Sequence, residues 1–257
     1  MTDHDGQRGP LASLFWPVLE WISMVLGLSG LGLLCLVWLP FAMVLHLLLP
    51  RRWGQPLGRW VIMAGFRVYL AFLWPCGFRF DLAALDALRR DGPLVLVANH
   101  PSLLDIVMIA SRFPDLVCIM KAALLKNPLL GAASRLARYI PNNAPLAVVL
   151  DACAELQGGA KLLLFPEGTR TCRLPVDTCT PGAGLIAGRA RVPVQALLIE
   201  FNAPYLGKAW PLFRRPRLPV RCSIRVGRRF EPPTDATAFA AELEAYFRAV
   251  LPAPPPA

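Results

Sequence analysis

Apolar and polar positions divide the chain into two textures. From Trp21 to Leu49 no side chain is charged, and this run is longer than the roughly 20 residues a helix needs to cross the hydrocarbon core. It predicts a membrane helix, and Pro40 within it allows a kink into a re-entrant hairpin. A second apolar stretch, Trp60 to Phe80, is interrupted by Arg67 and Pro75. It predicts either the return arm of a hairpin or an interfacial segment with Arg67 snorkelling. After Asp91-Gly92-Pro93 the pattern changes to short apolar runs of strand length at 94–98, 116–120, 161–165, 194–200 and 221–226. Helical stretches lie between them at 103–112, 126–138, 146–157 and 183–190, with Gly158-Gly159 placed to stop the third. This alternation predicts an α/β fold. A last amphipathic helix is expected over 237–250, with Phe239, Leu243, Tyr246 or Phe247 and Val250 on one face and Thr234 or Asp235 near its start.

The organisation that follows is a membrane anchor and interfacial segment over 1–80, a catalytic domain over 81–251, and a proline-rich tail over 252–257 expected to be disordered. Composition agrees with an anchor: 55% of the 257 residues are hydrophobic and only 17% charged, more apolar than soluble domains usually are. Trp16, Trp21 and Trp53 lie near the ends of the first run as an interfacial belt would, and Arg51-Arg52 follow it directly. The positive-inside rule therefore places the downstream domain in the cytoplasm, on the inner (plasma) membrane. A cleaved signal peptide fits less well, because the run is too long and lacks a basic region ahead of a small-residue cleavage site.

The net charge of +10 favours an anionic partner. Its arginines occur as short clusters (Arg89-Arg90, Arg214-Arg215 with Arg217, Arg228-Arg229) without interleaved aromatic residues, which points to a lipid surface and away from nucleic acid. The seven cysteines form no C-x-x-C pair, so neither a zinc site nor a disulfide framework is indicated, and they read as small buried hydrophobes in a reducing compartment.

Two motifs carry candidate chemistry. Asn99-His100-Pro101-Ser102-Leu103-Leu104-Asp105 follows the first predicted strand of the second region. A helix opening at Pro101 or Ser102 puts Asp105 about one turn in, where its carboxylate can take the Nδ1–H of His100 and leave Nε2 as a base. An imidazole with an ordinary pKa of ~6.5 suits removal of a hydroxyl proton at neutral pH. No G-x-S-x-G nucleophile stands in the chain, so direct attack by an acceptor hydroxyl is simpler than an acyl-enzyme route. The second motif, Phe165-Pro166-Glu167-Gly168-Thr169-Arg170, also follows an apolar strand. Arg170 offers a planar fork for phosphate, Gly168 lets the backbone approach, Thr169 can donate a hydroxyl, and Glu167 can orient the arginine or an acceptor hydroxyl.

With its NHxxxxD and FPEGTR boxes complete, the chain resembles the lysophosphatidic acid and glycerol-phosphate acyltransferases from about Gly92 to Ile199, including Lys121, Pro128 to Gly131, Ile140-Pro141 and Val192-Pro193-Val194. The resemblance implies a mixed sheet flanked by helices behind an N-terminal membrane helix or hairpin. It also implies His100 and Asp105 as the catalytic pair, Glu167, Gly168, Thr169, Arg170 and Lys121 as substrate contacts, and an acyl-CoA or acyl carrier protein donor. No metal and no further cofactor is implied, and the acceptor is a lipid hydroxyl, as in phospholipid biosynthesis. One departure matters. Members that use lysophosphatidic acid usually carry an arginine soon after the Ile-Pro segment, where this chain reads Asn142-Asn143-Ala144; Lys121, Lys126, Arg135, Arg138 or Arg173 are the basic residues available instead. The wording around these boxes looks closer to the branch linked to aryl-polyene, polyketide-like or aminolipid clusters, which leaves a non-phosphate acceptor open. A binding-only homologue and a thioester hydrolase are the other readings.

Overall fold

The structure, a computed structural model, describes residues 10–211 and 213–252. The expected tail lies outside the described residues from 253 onward. Two helices open the fold, α1 (Pro10–Leu48) and α2 (Arg51–Leu73). α1 continues through Pro40, so no re-entrant kink forms there. The turn comes at Leu49-Pro50 instead, where the pre-proline residue is pushed out of helical geometry. The two helices run antiparallel: Ser23 Oγ donates to the Cys76 carbonyl at 2.7 Å, and the Tyr69 hydroxyl to the Gly27 carbonyl at 3.0 Å. Gly30 permits this approach, since a Cβ there would stand 2.7 Å from the Phe72 ring.

The second region builds one seven-stranded sheet from β1 (Phe78–Asp81), β2 (Leu94–Ala98), β3 (Leu116–Met120), β4 (Ile140–Pro141), β5 (Lys161–Leu164), β6 (Val194–Phe201) and β7 (Val220–Phe230). Their order is β1-β7-β6-β2-β5-β3-β4, and every pairing is parallel except the antiparallel β6–β7 pair. The sheet is thus mixed, and its buried parallel strands are the near-continuous apolar runs seen in the sequence. β1 and β4 have no counterpart among the expected strands, being four and two residues long.

Alternation along the strands splits the core in two. Leu94, Leu96, Cys118, Leu163 and Leu197 face a cluster that includes Leu70 and Leu73 of α2 and Val107 and Met108 of α3 (Leu104–Ala110). Val95, Val117, Leu162, Leu164 and Val194 face Leu156 of α6 (Pro145–Gln157), Ile186 of α7 (Gly182–Ala190) and Leu243 of α8 (Ala236–Val250). The hairpin packs on the first face, with Leu19, Leu31, Leu34 and Phe66 against that cluster.

α1 is held at both ends. Buried Glu20 accepts the Leu218 N–H at 3.3 Å and lies 3.5 Å from Arg215, while Ala42 packs on Ala132 and Leu136 of α5 (Pro128–Leu136). α2 is tied by charge: Glu155 of α6 accepts from Arg59 at 2.8 Å, Arg51 at 3.1 Å and Gln55 at 2.7 Å, and Arg59 also reaches the Ala137 carbonyl. Gly58 faces the backbone of Ala137, whose nitrogen is 2.7 Å from the position of a Cβ, so α2 meets the end of α5 at backbone distance. Arg59 and Glu155 are both buried, and removing one partner strands the other's charge. Glu155→Ala is expected to cost about 3–5 kcal/mol, read as a lowered thermal midpoint of the detergent-solubilised chain; an unchanged midpoint would remove the cluster from the list of contacts that hold α2.

Candidate active site

β2 and β5 are parallel neighbours, so the chain leaves both at the same sheet edge. At the end of β2, Asn99 is buried and its amide replaces strand pairing: Nδ2 donates to the Ile199 carbonyl at 2.9 Å, and Oδ1 accepts the Ile199 N–H at 2.8 Å. The backbone then turns away from β6. His100 follows, its N–H donating to Glu167 Oε1 at 3.0 Å and its carbonyl accepting the Thr171 N–H at 2.8 Å.

Glu167 joins the two motif loops. Besides the His100 N–H, its carboxylate accepts the Thr171 hydroxyl at 2.8 Å and the Asp177 N–H at 2.8 Å. It is buried, and burial raises its pKa above the ordinary carboxylate range although these donors pull the other way. Gly168, beside it, has φ +67°, a left-handed turn that favours glycine.

Asp105 enters from the first turn of α3 and is fully buried. Its Oδ2 lies 2.8 Å from His100 Nδ1 and also accepts the Ser102 N–H at 2.8 Å; its Oδ1 is buried without a hydrogen-bond partner among the described residues. Burial pushes the Asp105 carboxyl up to about 6, against the hydrogen bond from His100 that lowers it. The imidazole is stacked on the Phe165 ring, centroids 3.7 Å apart and planes within 11°. Phe165 thus fixes the ring plane, Asp105 engages Nδ1, and Nε2 is left as the uncommitted nitrogen.

His100 opens onto a cavity of about 1460 Å³, whose lining also includes Lys121, Gly168, Thr169 and Arg170. Asp105 and Glu167 do not line it; the first stands behind the imidazole, the second beneath the loop. Arg170 Nη1 donates to the Leu206 and Gly207 carbonyls at 2.9 and 2.7 Å, which holds the guanidinium at the cavity wall. Asn142 lines the cavity too, with Oδ1 accepting the Ala122 N–H beside Lys121 at 3.1 Å. Of the basic residues considered for the missing arginine, Lys121 lines the cavity and Lys126, Arg135, Arg138 and Arg173 do not. Lys208 does, from a loop with no motif to announce it. Phe165, Thr171 and Asn99 stand within or beside the motifs, but their letters alone do not say which of them brace the others. A smaller recess of about 430 Å³, near Arg228, Asp235 and Glu242, is lined by none of the motif residues.

The raised Asp105 pKa has two consequences. Relative to an ordinary carboxyl near ~3.9, this group's contribution to stability is full below that value and is lost as pH rises through about 6. Wild type should therefore lose stability relative to Asp105→Asn as pH is raised from about 4 to about 7, measured as the difference in thermal midpoint; parallel pH curves would contradict the raised value. Catalytic use of the ionised pair would set an acid limb near pH 6 in kcat/KM, and a flat profile there would separate Asp105 from the reaction.

Comparison with known proteins supplies the context. Residues 79–200 match the acyltransferase family. The chain is 29% identical over 159 residues to 1-acyl-sn-glycerol-3-phosphate acyltransferase of Pseudomonas aeruginosa, covering 59% of each. It is 29% identical over 183 residues to lysophosphatidylcholine acyltransferase 2 of Rattus norvegicus, covering 66% of this chain and 32% of that one. The chain spans about half or less of the length of several of the curated relatives it matches. Among solved structures, the 1-acyl-sn-glycerophosphate acyltransferase PlsC of Thermotoga maritima superposes with a TM-score of 0.67 over 90% of this chain and 96% of that one, at 19% identity, which establishes the shared fold.

Proposed function

We propose, for a chain that belongs through residues 79–200 to the acyltransferase family, that it transfers a fatty acyl group from a thioester donor to the hydroxyl of a lysophosphatidic-acid-like lipid. The observation that carries this reading is the 2.8 Å contact between His100 Nδ1 and buried Asp105, with the imidazole lining the large cavity. His100 Nε2 takes the acceptor's hydroxyl proton as the oxygen attacks the thioester carbonyl. Asp105 stabilises the imidazolium so formed. The tetrahedral intermediate collapses with cleavage of the C–S bond, and the departing thiolate recovers the proton from His100. The products are an ester and a free thiol, and no cofactor beyond the donor, acyl-CoA or acyl carrier protein, enters the balance. Glu167 is a positioning residue in this scheme, holding the His100 backbone through its N–H.

Three of the four cations that line the cavity, Lys121, Arg170 and Lys208, favour an anionic acceptor despite Asn142-Asn143; the fourth, Arg189, lies on α7. Asn142 supports this arrangement by securing the segment next to Lys121. The names of the relatives, several of them 1-acyl-sn-glycerol-3-phosphate acyltransferases, agree with a phosphorylated lipid.

The hairpin is the membrane element in this reading. Both helices are long and apolar enough to cross a bilayer, with mean hydropathies of 2.3 and 1.2, and Trp21, Leu33, Leu36, Leu47 and Trp60 point outward, exposed. Glu20 and Ala42, roughly 33 Å apart along the helix at 1.5 Å per residue, both contact the same globular region. A transbilayer course between them would put parts of one compact fold on both sides, so a hairpin lying in one leaflet, with the catalytic region facing the cytoplasm, fits better than a span.

In membranes carrying the protein, His100→Ala is expected to reduce acyl transfer to lysophosphatidic acid by about 10²–10⁴, assayed with labelled donor and identification of the product; near-normal transfer would remove His100 as the base. Arg170→Lys should lower kcat/KM for a phosphorylated acceptor well below that for its dephosphorylated counterpart, because the planar fork is lost. Equal losses for both acceptors would take phosphate recognition away from Arg170.

A further inference from the structure

By its lining the cavity divides into two lobes, one against each face of the sheet. It rounds the sheet edge at β3 and β5, since residues from opposite faces of these strands line it: Cys118 and Leu163 on the hairpin face, Ile119 and Leu164 on the other. The first lobe is walled by the hairpin. The second runs between α6 and α7. Along α7 the lining residues are Gly182, Leu185 with Ile186, and Arg189, the spacing of a single helix stripe. Seven residues at 1.5 Å each make that stripe roughly 10 Å long. Leu146 of α6 faces it and is 71% exposed, as Leu185 is 50% exposed. Arg189 closes the stripe, exposed and without a carboxylate partner among the described residues.

We propose that this second lobe holds the phosphopantetheine arm of the acyl donor, with Arg189 meeting the phosphate at the arm's end. The inference rests on the acyl-transfer reading and goes beyond it by separating the donor's two halves. A thioester carries two chains away from its reacting carbon, and the cavity that His100 lines has walls of two kinds. The hairpin lobe is walled by Leu34, Val37, Trp38, Phe41 and Phe66, which suits a hydrocarbon chain. A hydrocarbon chain in the second lobe would end beside an exposed guanidinium to which it offers no acceptor. An amide-containing arm with a terminal phosphate satisfies both the apolar stripe and the cation. Extended, such an arm reaches on the order of 15 Å by ordinary bond geometry, enough to run from the sheet edge along the stripe. The placement agrees: α7 packs on the sheet face opposite the hairpin, so a water-soluble carrier approaches from the side away from the bilayer. Coenzyme A and a carrier protein share this arm and its phosphate.

The test uses the full chain in detergent with His100→Ala to prevent turnover. Calorimetric titrations use hexanoyl-pantetheine, hexanoyl-phosphopantetheine, hexanoyl-CoA and hexanoyl carrier protein. Adding Arg189→Gln should weaken hexanoyl-phosphopantetheine, and whichever of the two natural donors binds, by roughly tenfold, the scale of one charge-assisted contact. It should leave hexanoyl-pantetheine unchanged. Adding Leu185→Trp, which fills the stripe, should weaken all of them. The natural donor that binds more tightly identifies the carrier. Unchanged affinities in both variants, an equal loss of the unphosphorylated arm with Arg189→Gln, or no binding of any phosphorylated donor would overturn the proposal. Turnover of the chain with His100 intact is scored separately. Arm binding that depends on Arg189 without any transfer would sink the acyl-transfer reading alone, and transfer with binding indifferent to Arg189 would sink the arm site alone.

Discussion

A single buried carboxylate holds the site together. Glu167 accepts the His100 backbone N–H, the Thr171 hydroxyl and the Asp177 N–H, and so fastens the loop after β2 to the loop after β5. Parallel pairing of those strands delivers both loops to one edge, but pairing ends before the motif residues begin. Beyond it the chain has no ladder to fix it, and an unsupported loop would leave the imidazole free to rotate. Desolvating a carboxylate is costly, and three converging donors offset that cost. Asn99 does the matching work on the β6 side with a neutral amide. Only with the backbone held on both sides can Asp105 and Phe165 each fix one aspect of the ring, its hydrogen-bonded nitrogen and its plane.

The same logic of restraint governs the hairpin. An apolar helix pair with bulky side chains turned outward has no intrinsic reason to stay on the globular region, yet α1 and α2 are tied to it by different means. Gly58 lets α2 approach the backbone of Leu136 and Ala137, as Gly30 lets the two helices approach each other. Glu20 anchors one end of α1, and Glu155 gathers Arg51, Gln55 and Arg59 of α2. Arg51, which flanks the apolar run in sequence, therefore divides its charge between an ion pair and water, its side chain still 67% exposed. The hairpin wall of the cavity depends on these ties, because Leu34 and Phe66 reach the site only while the helices stay docked.

The central strands and the later helices were legible in the sequence because their apolar runs are long and bounded by turn residues. β1 and β4 were not, since four- and two-residue strands carry no period and exist only through their neighbours β7 and β3. The adjacency of His100 and Asp105 was legible, but α3 opens at Leu104 and not at Pro101 or Ser102, so Asp105 meets the imidazole from the second residue of the helix. What the motif letters do not contain is direction. Glu167 reads as a polar group available to substrate, whereas the fold turns its carboxylate inward onto backbone donors and away from the cavity. Pro40 shows the converse: a residue that breaks helices in isolation is accommodated within α1, while Pro50 ends it, because there the chain must reverse. Lys208 was illegible, since a lone lysine in a loop gains meaning only from what the fold brings beside it.

The chemistry proposed here needs three chains to meet at one carbon: the acyl tail, the carrier's arm and the acceptor bearing the hydroxyl. A pocket buried on one face of a sheet gives such chains one way in. A cavity that rounds the ends of β3 and β5 gives access from both faces, and the neighbouring ends of β2 and β5 are where the loops bearing His100 and Arg170 emerge. The faces differ in character, one covered by an apolar hairpin and the other by helices that end in charge. Ligands of different polarity can then be sorted by approach before any specific contact is made. The cations Lys121, Arg170 and Lys208 line the same cavity as His100, and a phosphorylated headgroup held by them would need to enter neither apolar lobe.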